Sequence, residues 1–174
     1  MANSIKINRL TNANIYADGS SLLGRAEEIT LPVVNFKTAE HKALGMVGEM
    51  QYPSGIAGME AKIKWNSFYK EVYKKFSNPF KGIKLQVRAS LESYESGDRV
   101  EQVPVVCYLT VRPKENPLGA FKSQDNVELE NTLTVSHFRL EIDGELITEV
   151  DVEANIWMVD GVDLLKEYRN NLGI

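Results

Sequence analysis

The stretch FRLEIDGELITEVD (138–151) alternates apolar and polar side chains on both sides of an Asp-Gly pair, and no other feature of the chain constrains its fold as tightly. Successive side chains of a strand point to opposite faces, so such a run presents one apolar and one polar face. Asp143 and Gly144 form the turn that joins the two runs into an antiparallel hairpin. Register decides which residues share the apolar face, because a slip of one residue reverses every side chain. A two-residue loop sets Leu146 opposite Glu141 and leaves Val150 off the face of Phe138, Leu140 and Ile142. A three-residue loop brings them together. The sequence therefore predicts a type I turn closed by a bulge, with Gly144 taking the positive φ that its missing Cβ allows.

The same alternation recurs along the chain. NIYADGSSLLG (14–24) carries Asp18-Gly19 as a hairpin turn, and EEITLPVV continues as a strand that Pro32 marks as an edge or an exit. Met59, Ala61, Ile63 and Trp65 alternate in MEAKIKW. GIKLQVRASLESY and VEQVPVVCYLTVRP predict a hairpin of unusual length across ESGDR, and VELENTLTVSHFRLEID leads into the 138–151 hairpin. Helical spacing appears twice. Trp65, Phe68, Tyr69, Val72, Tyr73 and Phe76 fall at i, i+3, i+4, i+7, i+8 and i+11, predicting an amphipathic helix over 65–76 with Asn66 or Ser67 as cap. In DGVDLLKEYRNNLGI a second helix is expected over 161–171, capped by Asp160, with Val162, Leu165 and Leu172 as the stripe that packs on the sheet. Segment 35–58 holds four glycines and one proline, too irregular for a helix and too long for an ordinary loop. KENPLGAFKSQDN is expected to be a second, mobile loop. The fold class that follows is mainly β with two short helices: a single domain, 1–174, built as an antiparallel β-sandwich or barrel with long hairpins.

Composition narrows the function. A chain of 174 residues, 43% hydrophobic, can bury one real core. Its net charge of -4 is spread along the sequence, which gives no general attraction for nucleic acid or acidic membranes. The single cysteine, Cys107, lies in VPVVCYLTV, where an apolar strand accounts for it better than reactivity or metal binding, and an intramolecular disulfide is impossible. The opening MANSIKINRLTNANIY lacks an apolar core region and no run of about 18 apolar residues occurs, so neither a secretory signal nor a membrane anchor is expected. His41 and His137 have no serine, cysteine or carboxylate at the spacing of a triad or metal site. Glu27 with Glu28, and Asp160 with Asp163, are accounted for by surface charge and helix capping. Glycines 45, 48, 55 and 58 precede a strand rather than open a helix, so they do not cradle phosphate. No catalytic, cofactor-binding or metal-binding residue is expected, and the chain does not read as an enzyme.

Certain stretches together carry a resemblance. NIYADG, ITLP, a GM loop, GMEAK, FRLEIDG and the terminal VDGVDLLKEYRNNLGI occur in an order similar to that of the major tail tube proteins of contractile-tailed bacteriophages and R-type bacteriocins, the FII-type tail tube family. The C-terminus is the most specific part. It resembles N-G-V-D-x-L-x-x-x-R-x-x-L-G-L, with Asp160 replacing the asparagine and Ile174 the last leucine. In the loop this chain has ALGM, with Leu44 where relatives carry further glycine.

The resemblance implies a structural protein whose hexameric rings stack into a hollow tube, wrapped by a contractile sheath and driven through a bacterial envelope as a conduit for DNA or ions. Implied partners are further copies of the chain, the sheath protein, baseplate or tube-initiator and tail-terminator proteins, a tape measure protein in the lumen, and DNA in transit without specific binding. No cofactor is implied. The implied location is the virion tail, assembled in the bacterial host cytoplasm. Segment 35–58 becomes an extended assembly loop ordered only on contact, with Lys37, Glu40, His41, Leu44, Gly45, Met46, Met50 and Tyr52 as contacts between protomers or rings. A lumen of neutral or acidic character would let duplex DNA slide, since a basic wall would hold its phosphates. Two other readings stay open: a type VI secretion-like tube protein, and a monomeric β-barrel that binds a small ligand in an apolar cavity.

Overall fold

A computed structural model describes residues 5–174; the first four residues of the N-terminal stretch considered above lie outside the described part. The elements run β1 (Lys6–Ala17), β2 (Ser20–Ser21), β3 (Ala26–Thr30), β4 (Phe36–His41), β5 (Met50–Ile56), β6 (Met59–Trp65), α1 (Lys70–Phe76), β7 (Ile83–Glu95), β8 (Asp98–Pro113), β9 (Leu129–Ile142), β10 (Glu145–Asp151), β11 (Ile156–Val159), β12 (Val162–Asp163) and α2 (Lys166–Leu172). Ten strands form one antiparallel sheet in the order β12-β11-β10-β9-β8-β7-β1-β2, with β6 also on β9 and β3 outside β6. Strand β9 is the branch point. One of its edges pairs with β8, while the other takes β10 along 137–142 and β6 along 129–135.

Alternation explains the core. In β6, Met59, Ala61, Ile63 and Trp65 are buried while Glu60 and Lys62 are exposed. These four join Ile83, Leu85 and Val87 of β7, Cys107, Leu109 and Val111 of β8, and Leu133, Val135 and Phe138 of β9 in one buried cluster, with Ile15 of β1 and Val150 of β10. Strands from both ends of the sheet feed this single cluster, so the sheet curls upon itself as a barrel-like sandwich.

The turns explain the connectivity. Four pairs have positive φ at both positions: Asp18 (48°) with Gly19 (78°), Ser96 (54°) with Gly97 (92°), Asp143 (53°) with Gly144 (80°), and Asp160 (49°) with Gly161 (74°). These are the mirror-image turns whose twist matches that of the strands they join. The 138–151 hairpin therefore has a two-residue loop, not the expected three-residue one: Glu145 pairs with Ile142 and Leu146 with Glu141. Val150 still faces Phe138, because an extra residue, Ile147, bulges before Thr148 pairs with Leu140. The register shift needed to bury Val150 is made within the strand rather than at the turn.

Three expected elements differ from what forms. The helix expected over 65–76 is shorter, because Trp65 stays in the sheet opposite Leu129. Helix α1 begins at Lys70 with Tyr69 at its N-cap, and neither Asn66 nor Ser67 caps it. Asn66 instead donates to the Gly24 carbonyl at 3.0 Å and accepts from the Tyr69 hydroxyl at 2.7 Å. The helix expected over 161–171 is preceded by β12 and reduced to α2, since Asp160 and Gly161 form a hairpin turn rather than a cap. Its apolar stripe does not pack: Val162 is 60% and Leu172 55% exposed, and Leu165 is only half-buried, at the N-cap. What ties α2 down is polar. Arg169 is paired with Asp163 and donates to the Asn155 carbonyl at 2.8 Å. Lastly, segment 35–58 contains a hairpin, with one shift of register between Lys37 and Thr38. Strands β4 and β5 pair from Phe36 with Ile56 to His41 with Met50, as a separate two-stranded sheet. Both its faces are exposed, so no alternation is demanded of its sequence.

Candidate assembly surfaces

The β4–β5 hairpin is an arm with an anchored base and an open tip. At the base the Ala57 N–H donates to the Asn35 carbonyl at 2.9 Å, Val34 and Ile56 pack against the core, and Phe36 stacks on Trp157 of β11 with centroids 5.1 Å apart. Beyond this the arm holds all eight residues expected to make assembly contacts. Lys37, Glu40, His41, Met50 and Tyr52 lie on its strands, and Leu44, Gly45 and Met46 at its tip. The tip turns through Gly45 at a φ of +87°, closed by the Met46 N–H donating to the Ala43 carbonyl at 3.2 Å. Lys42 sits 2.7 Å from Glu49 and 3.7 Å from Glu40. Leu44 and Val47 are wholly exposed, at 105% and 109%. A two-stranded hairpin without a packed face is marginal in water, and the apolar side chains displayed together at its end are left uncovered.

A second surface extends beyond the core where residues 6–10 of β1, 91–95 of β7 and 98–103 of β8 continue as three strands. Among the described residues the edge of β1 away from β7 has no strand partner before Tyr16 meets Ser21, and this part of β1 carries exposed Ile7 and Leu10. The unpaired backbone N–H and C=O groups of such an edge are of the kind that can template pairing with another chain. The extension is braced by Lys6 with Glu101 at 2.5 Å and Arg99 with Glu92 at 3.1 Å. The Tyr94 hydroxyl donates to Glu92 at 2.7 Å; that bond raises the Tyr94 hydroxyl and, with Arg99 nearby, holds the Glu92 carboxyl below its ordinary range.

Helix α1 shows its uncovered side as a third surface. Phe68, Tyr69, Lys70, Tyr73, Lys74 and Ser77 line a groove of about 570 Å³. Phe121, from the 114–128 connection, stacks on Phe68 at 5.8 Å, and the Tyr73 hydroxyl donates to the Pro117 carbonyl at 3.1 Å. The aromatic periodicity of α1 pointed to a buried face. It gave no sign that Phe121, far along the chain, stacks on Phe68 beside the groove.

The face of β7–β10 opposite the core is polar and concave, with a hollow of about 510 Å³ bordered by Lys84, Tyr108, Thr110, His137, Arg139, Glu141 and Glu149. His137 Nε2 lies 2.9 Å from Glu149, and Arg139 2.5 Å from Glu141. Sequence spacing could not reveal the His137–Glu149 pair, since it is made across neighbouring strands β9 and β10. The Asp143-Gly144 turn is docked by the Asp143 N–H on the Pro104 carbonyl at 2.9 Å. Burial pushes the Cys107 thiol up to about 11, which leaves it protonated and unreactive at neutral pH. Among the described residues no His, Cys, Asp or Glu cluster could hold a metal ion, and no helix is long and apolar enough to cross a membrane. The chemistry these surfaces offer is association: apolar knobs, an open strand edge and paired charges.

Comparison with known proteins agrees with that chemistry. The model of a family described as phage tail tube protein FII matches residues 7–173. The tail tube protein of Escherichia phage P2 is 27% identical over 172 residues, covering 95% of this chain and 97% of the relative. Among solved structures, the fold is similar to a chain in the cryo-EM structure of an extracellular contractile injection system, the PVC sheath-tube complex in its extended state. That likeness has a TM-score of 0.55 at 11% identity and covers 75% of this chain and 86% of the other.

Proposed function

Because the chain belongs to the phage tail tube protein FII family, we propose that copies of it close into hexameric rings and that these rings stack into the inner tube of a contractile tail. It is a structural subunit of a tail tube, a virion component. The observation that carries the self-assembly is the arm: a hairpin standing clear of the core with Leu44 and Val47 wholly exposed at its end. Lys37, Glu40, His41, Leu44, Gly45, Met46, Met50 and Tyr52 are its contacts with neighbouring copies. A head-to-tail interface closes into a ring when its rotation divides the circle, and a second such contact stacks the rings. The β1 edge, unpaired among the described residues before Tyr16, supplies a surface of the kind that such a contact uses.

The finer partnerships follow from the tube. A sheath surrounds it, initiator and terminator proteins bound its two ends, and a tape measure protein occupies the lumen during assembly in the host cytoplasm. DNA or ions then pass without being gripped. The shared fold with a chain from a sheath-tube complex supports the sheath partnership. The test is direct: size-exclusion chromatography and negative-stain microscopy of the purified chain. Rings or tubes are expected, and a compact 19.6 kDa monomer at every concentration overturns the proposal.

A further inference from the structure

Strand β6 separates two surfaces that the fold leaves uncovered. The arm joins it just before Met59, and the connection to α1 leaves it after Trp65. At about 3.3 Å per residue this strand alone sets roughly 20 Å between the arm's base and the α1 groove. The tip does not rest in its own groove, since Leu44 and Val47 are wholly exposed. The two surfaces are also matched in kind. The groove is aromatic along Phe68 and Tyr73, with Lys70 and Lys74 lining it and no ion-pair partner for either among the described residues. The tip presents two aliphatic side chains flanked by two carboxylates, Glu40 and Glu49, that share one amine, Lys42.

We propose that the arm tip of one copy seats Leu44 and Val47 in the α1 groove of a second copy, with Glu40 and Glu49 facing Lys70 and Lys74. This rests on the tube reading and deepens it by naming the surface that receives the arm. Knob and groove lie at opposite ends of β6, so a head-to-tail arrangement leaves each copy that fills a groove with its own groove to offer to the next, as ring closure requires. Burying the two apolar side chains removes them from water, and the opposed charges fix the register.

Chains carrying Leu44→Cys and chains carrying Phe121→Cys are assembled as a mixture and oxidised, with each variant alone as control. Cys107 is buried and does not compete. The expected product on a non-reducing gel is a dimer of roughly twice the 19.6 kDa chain, from the mixture only. Tubes that form without this dimer overturn the contact while leaving the tube reading intact. Dimers from Leu44→Cys alone, in the same yield, also overturn it, because they report a tip-to-tip contact. A parent chain that never assembles overturns the tube reading and this contact with it, whereas Leu44→Cys chains that fail to assemble where the parent does, and recover when mixed with parent chain, support the contact. A second measurement uses Lys70→Glu with Lys74→Glu, both on the exposed side of α1. Assembly at low salt should fall by about tenfold or more with the circular dichroism spectrum unchanged. Undiminished assembly overturns the placement of the tip.

Discussion

Helix α1 has seven residues, well short of the ~12–15 that an isolated helix needs to persist in water. It is held by what it buries, Val72 and Phe76, and the groove on its other side depends on that anchoring. Phe76 is 1% exposed and meets Trp65 edge-on, with centroids 5.3 Å apart and planes at 62°. Replacing Phe76 with alanine should cost about 3–5 kcal/mol in transfer and cavity terms. The edge-to-face contact accounts for ~0.5–1.5 kcal/mol of interaction beyond area alone. The upper part of that range applies, because Trp65 cannot swing into the space. Its indole N–H donates to buried Asn131 at 2.8 Å, and Asn131 in turn donates to the Glu115 carbonyl at 3.3 Å. A domain stable by about 5–15 kcal/mol would lose a large fraction of its margin. The assay is urea unfolding of the protomer, followed by the fluorescence of Trp65 and Trp157. Tyr73→Phe is the control: it loses only the hydroxyl bonded to Pro117 and should cost about 0.5–1.5 kcal/mol. If Phe76→Ala unfolds within about 1 kcal/mol of the parent, α1 is not anchored as described and the argument from its burial fails.

Three further outcomes are expected. Deleting Ile147 should leave Val150 against Phe138, because the two-residue turn then continues without a bulge into the same pairing; nuclear Overhauser contacts between the two side chains check this, and their loss would mean that the strand does not close up over the deleted bulge residue. Gly119→Ala should destabilise by about 1–3 kcal/mol, since Gly119 has a φ of +69° and a Cβ there would lie 2.6 Å from Val127 Cγ1 and 2.7 Å from Leu129 Cδ2; thermal melting reads the change. Hydrogen bonding from Arg169 lowers the Asp163 carboxyl below its ordinary value, so its contribution to holding α2 is full above an unfolded pKa of about 3.9 and is lost as pH falls through the lower folded value. Protection of α2 amides relative to their intrinsic exchange should therefore be steady from neutral pH down to about 4 and fall below that, whereas Asp163→Asn should show reduced protection throughout.

Much of the β framework was legible because its causes are local. Alternation in MEAKIKW placed Met59, Ala61, Ile63 and Trp65 on one buried face, and Asp-Gly pairs marked turns whose backbone geometry those residues accept without strain. Gly144 takes the positive φ expected of it. The family resemblance was also carried by short motifs, above all the C-terminal one, and it is matched over residues 7–173.

Other features depended on partners remote in sequence. Trp65 continues the helical spacing of Phe68 and Phe76, yet pairing with Leu129 keeps it in β6, because a ladder of backbone hydrogen bonds outweighs the weak helical preference of one residue. Val162 and Leu172 look like a buried stripe and are exposed, since α2 is tied by Arg169 to Asp163 and Asn155 instead. The arm was hidden by its own exposure: strands wet on both faces need no alternation, so β4 and β5 leave no period in the sequence. By itself, then, the sequence determined the strands, their turns and the family, all of which follow from side-chain spacing and backbone preference over a few residues. Only the tertiary structure decided the bulge at Ile147, the arm with Leu44 and Val47 at its tip, and the stacking of Phe121 on Phe68 beside the α1 groove, because each is set by which distant strands and loops come to lie side by side.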